Sequence, residues 1–139
     1  MCRLVAVVIL CLAFVQVARA DTGGIGIVMA PESNIWTCTG DTPDAAFSCA
    51  RKKCKDSGEI DCYRVAWCYP SGWSVLYSMR AGDFHTPGGF CGAPTRAAAL
   101  NTLKQWCKAQ DYVTSCYAYM LLTPDGGEEE VDKEFTFKR

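Results

Sequence analysis

The chain has 139 residues, half of them hydrophobic, and its 14 basic and 15 acidic side chains give a formal net charge of -1. This length fits a single domain with a modest core. The charge balance excludes the strongly basic surfaces typical of nucleic-acid-binding proteins and of proteins that adsorb to anionic membranes.

The first 20 residues have the pattern of a cleaved secretory signal. Arg3 precedes an apolar run from Leu4 to Val17, and Ala18-Arg19-Ala20 matches the small-x-small pattern that a signal peptidase cuts. We therefore expect cleavage after Ala20 and a secreted, extracellular product. No later apolar run is long enough to cross a bilayer, so no membrane span is predicted.

Eight cysteines follow the predicted signal, which itself contains Cys2 and Cys11. An even number of cysteines in a short exported chain predicts disulfides, here four. A zinc site is the alternative, but the chain has no CxxC pair and only one histidine. We therefore predict no metal and no cofactor. The cysteines expected in disulfides are Cys38, Cys49, Cys54, Cys62, Cys68, Cys91, Cys107 and Cys116.

Two stretches of the chain resemble each other, which indicates one structural unit used twice. Shifting the chain by 53 residues superposes Thr42 on Thr95 and Cys54 on Cys107. The glycine-rich, acidic segment after Pro124 predicts a mobile or weakly docked tail. The expected organisation is a signal peptide (1–20), a first repeat (21–72), a second repeat (73–124) and an acidic C-terminal tail (125–139).

The first repeat is predicted to be β-β-α-β. Residues 25–30 and 35–39 alternate in polarity around a turn cluster, which predicts a hairpin. Thr42 and Pro43 are typical of a helix N-terminus, and Gly58 is expected to end that helix. A third strand is predicted over 62–69. The short turn that follows predicts a hairpin joining the two repeats.

The second repeat is predicted to have the same elements, with strands over 73–78 and 116–122 and a helix over 97–107. Residues 80–89 are predicted to be its irregular loop. The fold class is therefore α+β: two tandem β-β-α-β repeats in one disulfide-stapled domain, with both helices on one face of a sheet.

This arrangement of residues resembles a known family. An apolar Gly-rich strand, a T-x-x-A-A helix start, a C-x(7 or 8)-C spacing and an aromatic strand, stated twice, are similar to the family catalogued as domain of unknown function four-one-eight-nine. The resemblance covers Gly24 to Leu122. The chain departs from that pattern by having Cys38, Cys49, Cys68 and Cys91 as well. The family's name implies no activity.

The duplication also suggests how the cysteines pair. Cys54 and Cys62 recur together as Cys107 and Cys116, so each pair is predicted to be bonded within its repeat. Cys49 and Cys68 are both absent from the second repeat, which predicts a bond between them and leaves Cys38 with Cys91. Spacing alone leaves an exchange among these last four open.

Aromatic side chains on the predicted strands provide the candidate binding face. They are expected to share the sheet face that points away from the helices. This face is either core, covered by the tail or by a second copy of the chain, or an exposed platform for another protein or a surface target. The residues of the predicted face are Tyr63, Trp67, Tyr69, Trp73 and Tyr77.

Catalysis is not predicted. His85, Asp83 and either Ser74 or Ser78 have the residue types of a catalytic triad, but no GxSxG motif supports one, so His85 is interpreted as a surface histidine. The basic run Arg51–Lys55 is either an anion or glycan patch or, as we favour, a set of helix-end charges.

The sequence therefore predicts a secreted, disulfide-rich, non-enzymatic protein that binds another molecule, as venom toxins and host-directed effectors do. The alternatives are an extracellular enzyme or enzyme inhibitor, and a structural envelope protein.

Overall fold

A computed structural model of the chain describes residues 23–31 and 33–138. The predicted signal peptide lies outside the described residues. The elements in chain order are β1 (Gly24–Met29), β2 (Ile35–Gly40), α1 (Pro43–Asp56), β3 (Tyr63–Cys68), β4 (Trp73–Ala81), β5 (Phe84–Ala93), α2 (Arg96–Ala109), β6 (Ser115–Leu122) and β7 (Glu128–Thr136).

The predicted α+β class and disulfide-stapled domain are confirmed. The order β-β-α-β occurs twice, and the two sets of strands pair in the same way. One antiparallel sheet has the order β2-β1-β3, and the other has β5-β4-β6 followed by β7. The first strand of each set therefore lies between the other two strands of that set.

The helix boundaries follow from local signals in the sequence. The side chain of Thr42 accepts a hydrogen bond from the Ala45 N–H, with Pro43 at the first helical position, and the side chain of Thr95 accepts one from the Ala98 N–H. Gly58 follows the C-terminal cap of α1 with a φ of 97°, the left-handed conformation that glycine adopts at least cost.

The two sheets are stacked face to face, and each carries one helix on its outer face. Phe47 of α1 packs on Val28 of β1, and Leu103 of α2 packs in a cluster with Val75 of β4. A third apolar cluster joins Ile27 of β1 to residues of the other sheet. The predicted single sheet with both helices on one face is therefore wrong. Both faces of each sheet are apolar, so each sheet buries one face under a helix and the other against the second sheet.

The predicted hairpin between the repeats is also wrong, because residues 70–72 carry the chain from one sheet to the other. Strand β4 pairs on both sides within its own sheet, so no edge is left for β3. Gly72 has a φ of 55°, and a Cβ at this position would lie 2.7 Å from the backbone carbon of Gly92. The crossing therefore requires glycine.

Residues 80–89 form a hairpin where the sequence predicted an irregular loop. Ala81 pairs with Phe84 across the two-residue turn Gly82-Asp83, in which Gly82 has a φ of 60°. Such turns match the twist of the strands that they join. Pro87 is accommodated because β5 is an edge strand, whose outer side needs no N–H donor.

The acidic tail is ordered as β7 along β6, so the prediction of a mobile or weakly docked segment is wrong. Alternate residues Val131 and Phe135 pack against the α2 cluster, and Glu129 forms an ion pair with Arg96. The many carboxylates of this segment predicted an exposed tail, although its residues alternate between an exposed face and a half-buried face. Charged side chains on an edge strand also oppose pairing with another chain.

All eight predicted cysteines are bonded, and two of the predicted pairs are confirmed: Cys54–Cys62 and Cys107–Cys116. The other two predicted pairs, Cys49–Cys68 and Cys38–Cys91, are wrong. The structure bonds Cys38 to Cys49 and Cys68 to Cys91, with Cα–Cα distances of 5.9 and 5.8 Å. Cys38 of β2 faces α1, where Cys49 lies, whereas Cys68 faces the other sheet, where Cys91 lies. Cys49 and Cys68 are both absent from the second repeat, but each belongs to a different disulfide.

The buried phenol of Tyr77 should make the protein less stable in alkali. Burial, with a smaller contribution from Tyr112, raises the pKa of Tyr77. The unfolded chain ionises near pH 10, before the folded protein does, so the free energy of unfolding should be constant below that pH and fall above it. Urea unfolding between pH 8 and 11 should show this fall, and Tyr77→Phe should reduce it. Equal pH dependence in both proteins would contradict the assignment, and Tyr63→Phe, at an exposed tyrosine, is the matched control.

Candidate functional site

The five aromatic residues of the predicted binding face do not share a face. Tyr77 is 5% exposed and stacks on Phe90, and Trp67 packs against Phe47 of α1. Trp73 packs against the α2 cluster. Only Tyr63 and Tyr69 are exposed. Three of the five therefore lie beneath the helices as core, so the prediction of one shared face is wrong.

A β-bulge explains part of this error. Along β1, Ile27 pairs with Ala66 and Val28 pairs with Arg64, so Val65 is an extra residue in β3. A bulge reverses the alternation on its far side, which separates Trp67 from the face that Tyr63 occupies. The second sheet has a bulge at the matching place: Leu76 pairs with Met120 and Tyr77 with Ala118, which leaves Tyr119 as the extra residue.

A large cleft in the described part of the chain lies between the two sheets at one end of the molecule. Its volume is about 500 Å³. The turn between β1 and β2 forms one wall, the β4–β5 hairpin forms the other, and β6 contributes at the bulge. The lining residues are Ser33, Asn34, Ser78, Asp83, Phe84, His85, Pro87 and Tyr119.

This cleft exists because the four-stranded sheet is longer than the sheet stacked on it. Leu76 of β4 is buried between the sheets, and Ser78, two residues further along the same face, lies in the cleft. Across the strands, Pro87 pairs with Ser78 and His85 pairs with Arg80. The inner face of the longer sheet thus continues past its buried part as a polar surface.

A second, smaller cleft of about 270 Å³ adjoins the first and shares Ser78 and His85 with it. It is also lined by Arg80, Ser115, Tyr117 and Glu134. The paired positions Arg80–Ser115 and Ser78–Tyr117 place these side chains on the same inner face. We refer to the two adjoining cavities together as the double cleft.

Both tyrosines of the double cleft keep their phenolic protons at neutral pH. Burial raises the pKa of Tyr119, and the nearby Asp132 carboxylate raises the pKa of Tyr117. The Tyr119 hydroxyl can therefore donate and accept, whereas the Tyr117 hydroxyl donates to Asp132 and is left to accept. The Asn34 side-chain oxygen accepts a hydrogen bond from the Ile35 N–H at 2.8 Å, which fixes the orientation of its amide.

Three of the four residues considered for a catalytic triad line the same cleft. Ser78, Asp83 and His85 all line the larger cleft, but within residues 23–31 and 33–138 no hydrogen bond joins any two of their side chains. Ser74 is buried between the sheets, and its hydroxyl has no hydrogen-bond partner in that part of the chain. No group of three or more potential metal ligands occurs there either.

The basic run on α1 has partners within the fold. Lys52 forms an ion pair with Asp56 one turn later, and the Lys53 amine donates a hydrogen bond to the Thr37 carbonyl at 2.9 Å. Both contacts support the interpretation of helix-end charges. No described helix is long and apolar enough to cross a membrane.

Comparisons with protein-family models, curated proteins and solved structures found no match for this chain. The double cleft must therefore be interpreted from its own residues. Sequence reasoning did not identify Asn34, Phe84 or Tyr119 as site residues. One signal was available for Phe84: Gly82-Asp83 between two β-type segments is a typical two-residue hairpin turn, which would have placed Phe84 at the start of a strand.

Proposed function

We propose that this chain is a secreted protein that acts by binding another molecule in the double cleft, without catalysis, in the manner of a toxin or host-directed effector. Four disulfides in so small a domain are typical of extracellular proteins. The volume of the larger cavity falls within the range of roughly 300–1,000 Å³ that is usual for ligand sites.

One observation carries the proposal: the cleft presents hydrogen-bonding side chains that the described fold does not use. No side-chain hydrogen bond or ion pair within the described residues occupies Ser78, Asp83 or His85. These groups lie on two paired strands and on the tight turn that joins them, and such a scaffold fixes the backbone that carries them. A preorganised backbone favours binding, because only side-chain conformational entropy is then lost when a ligand binds.

The same cleft also supports a second candidate, an extracellular hydrolase, because Ser78, Asp83 and His85 lie together in it. A nucleophile, a base and an orienting carboxylate act only when hydrogen bonds link them in series. Such links are absent among these three side chains in the described fold, which favours binding over hydrolysis.

Binding in the double cleft should be visible by NMR. Isotope-labelled protein is titrated with a panel of neutral oligosaccharides, extended hexapeptides and small aromatic acids. Ligands that bind should shift the backbone amides of residues 33–34, 83–86 and 119. Ser78→Trp, which fills the cleft, should abolish these shifts, whereas Lys104→Trp should not, because Lys104 is exposed on α2 and lines neither cavity.

Two outcomes would overturn the proposed function. Ligand-induced shifts confined to another surface would move the site elsewhere. Turnover of ester or glycoside substrates that falls more than about 100-fold in His85→Ala would identify a general base and hence an enzyme. Intact disulfides and an unchanged near-ultraviolet circular dichroism spectrum must first show that each variant folds.

A further inference from the structure

We propose that the double cleft binds a neutral oligosaccharide, an inference that rests on the proposed function of the cleft as a binding site. The argument uses the hydrogen-bonding groups, ring faces, charge balance and shape of the cleft.

The hydrogen-bonding groups of the cleft match those of a polyol. A sugar hydroxyl both donates and accepts, so its site needs groups of both kinds. The hydroxyls of Ser78 and Tyr119 can do either, the Tyr117 hydroxyl donates to Asp132 and is left to accept, and carboxylates accept while guanidinium groups donate. Both tyrosine hydroxyls are held in their protonated form, as described above. The cleft therefore offers mixed donors and acceptors along its whole length.

Ring faces flank these polar groups. Phe84 is 76% exposed at the base of the hairpin turn, and Tyr117 is 39% exposed on β6. An aromatic face has negative charge density, and the polarised C–H groups on one side of a sugar ring stack favourably on it. Phe84 is too exposed to serve the core, so its ring is available to a ligand.

The double cleft carries a small excess of negative charge. Asp83, Glu134, Arg80 and His85 line it, and the Asp132 carboxylate lies beside Tyr117. A site for a polyanion would concentrate positive charge, and a site for a polycation would concentrate negative charge. Because the acidic excess is small and is interrupted by Arg80, the cleft disfavours anions and favours an uncharged ligand.

Peptides fit the cleft less well. A bound peptide usually adds a strand to an exposed sheet edge or inserts apolar side chains into pockets. The edge beside the cleft is β5, in which Pro87 lacks the N–H that a ladder needs. Among the described residues that line the larger cavity, Pro87 is the only aliphatic one. Neither usual means of peptide binding is provided.

The two cavities meet at Ser78 and His85, so the site is elongated. An elongated polar groove with two compartments suits several linked rings better than one. We therefore expect tetrasaccharides to bind more tightly than the corresponding monosaccharides.

The inference is tested with cellotetraose, fully N-acetylated chitotetraose and mannotetraose, by isothermal calorimetry and by NMR shifts. At least one should bind saturably with a Kd of about 1 mM or tighter. Phe84→Ala should weaken binding by roughly tenfold, the effect of losing one stacked ring. Tyr112→Ala, at an aromatic residue of similar exposure outside the cleft, should leave binding unchanged.

The failures of the two proposals can be distinguished. If hexapeptides or aromatic acids shift the amides of the cleft and none of the tetrasaccharides binds, the oligosaccharide inference is wrong and the proposed function stands. Tetrasaccharide shifts that map away from the lining residues of both cavities would also overturn the inference. If no ligand of the panel binds in the cleft at millimolar concentration, both proposals are wrong.

Discussion

Tyr77→Ala should lower the free energy of unfolding by about 3–5 kcal/mol, the usual cost of removing a large aromatic ring from a core. Tyr77 is 5% exposed, stacks on Phe90 at a centroid distance of 5.3 Å and contacts Trp106 at 5.7 Å. A Cβ at Gly88 would overlap its ring, so β5 is shaped to receive it. The cavity left by truncation would lie between α2 and the sheet, where surrounding strands cannot collapse easily.

The measurement is urea unfolding of the oxidised protein, with Tyr63→Ala as the control. Tyr63 is 52% exposed on β3, so its truncation should cost less than about 1 kcal/mol. A loss below 1 kcal/mol for Tyr77→Ala would contradict the core position of this ring. It would also restore the sequence-based interpretation of Tyr77 as part of a binding face.

Replacing both Cys68 and Cys91 with alanine should destabilise the protein by about 3 kcal/mol. The bond closes a segment with a sequence separation of 23, and the expected loss is the loop-closure entropy that the bond removes from the unfolded chain. This bridge joins β3 to β5 and hence one sheet to the other. We therefore also expect faster amide hydrogen exchange at Ile27 and Leu76, which face each other between the sheets.

The control for this prediction is the double variant Cys38→Ala/Cys49→Ala. Its bond spans a sequence separation of 11 within one repeat and joins β2 to α1. It should cost a similar free energy by the entropy argument but leave exchange at Ile27 and Leu76 nearly unchanged. Equal exchange in both double variants would show that the Cys68–Cys91 bond does not hold the sheets together.

Local sequence signals predicted most elements of the fold, except β5 and β7. Thr42 and Thr95 cap the helices as expected, because a capping side chain bonds to a backbone group only three residues away. The positions of the predicted strands 35–39, 62–69 and 116–122 likewise agree with β2, β3 and β6 to within a residue or two. Such features depend on residues that are close to each other in the sequence, so the sequence alone is enough to predict them.

The stacking of the sheets was not predictable in the same way. Ile27 and Leu76 are far apart in the chain, and nothing in the local pattern states that they meet. The bulges at Val65 and Tyr119 each add one residue to a strand. Side chains beyond a bulge therefore point to the face opposite to the one that strict alternation predicts. The same non-local geometry decides which cysteines come within bonding distance.

The double cleft was still harder to foresee, because distant segments supply its walls. Asn34 comes from the first set of strands, His85 from the second hairpin and Tyr119 from the strand after α2. The sequence predicted a loop over 80–89, which left His85 without a fixed position. Once the two-residue turn is recognised, His85 and Ser78 fall on one face of paired strands.

The matched bulges carry different side chains in the two halves of the molecule. The additional residue is Val65 in the first sheet and Tyr119 in the second, and the residues two positions earlier are Tyr63 and Tyr117. The same backbone feature therefore carries an aliphatic side chain in one half and a hydroxyl-bearing ring in the other. Because each half forms its own sheet, the side chains at equivalent positions can differ between the halves without a change in the shared backbone. Val65 then marks the position in the first sheet that is equivalent to Tyr119 of the double cleft.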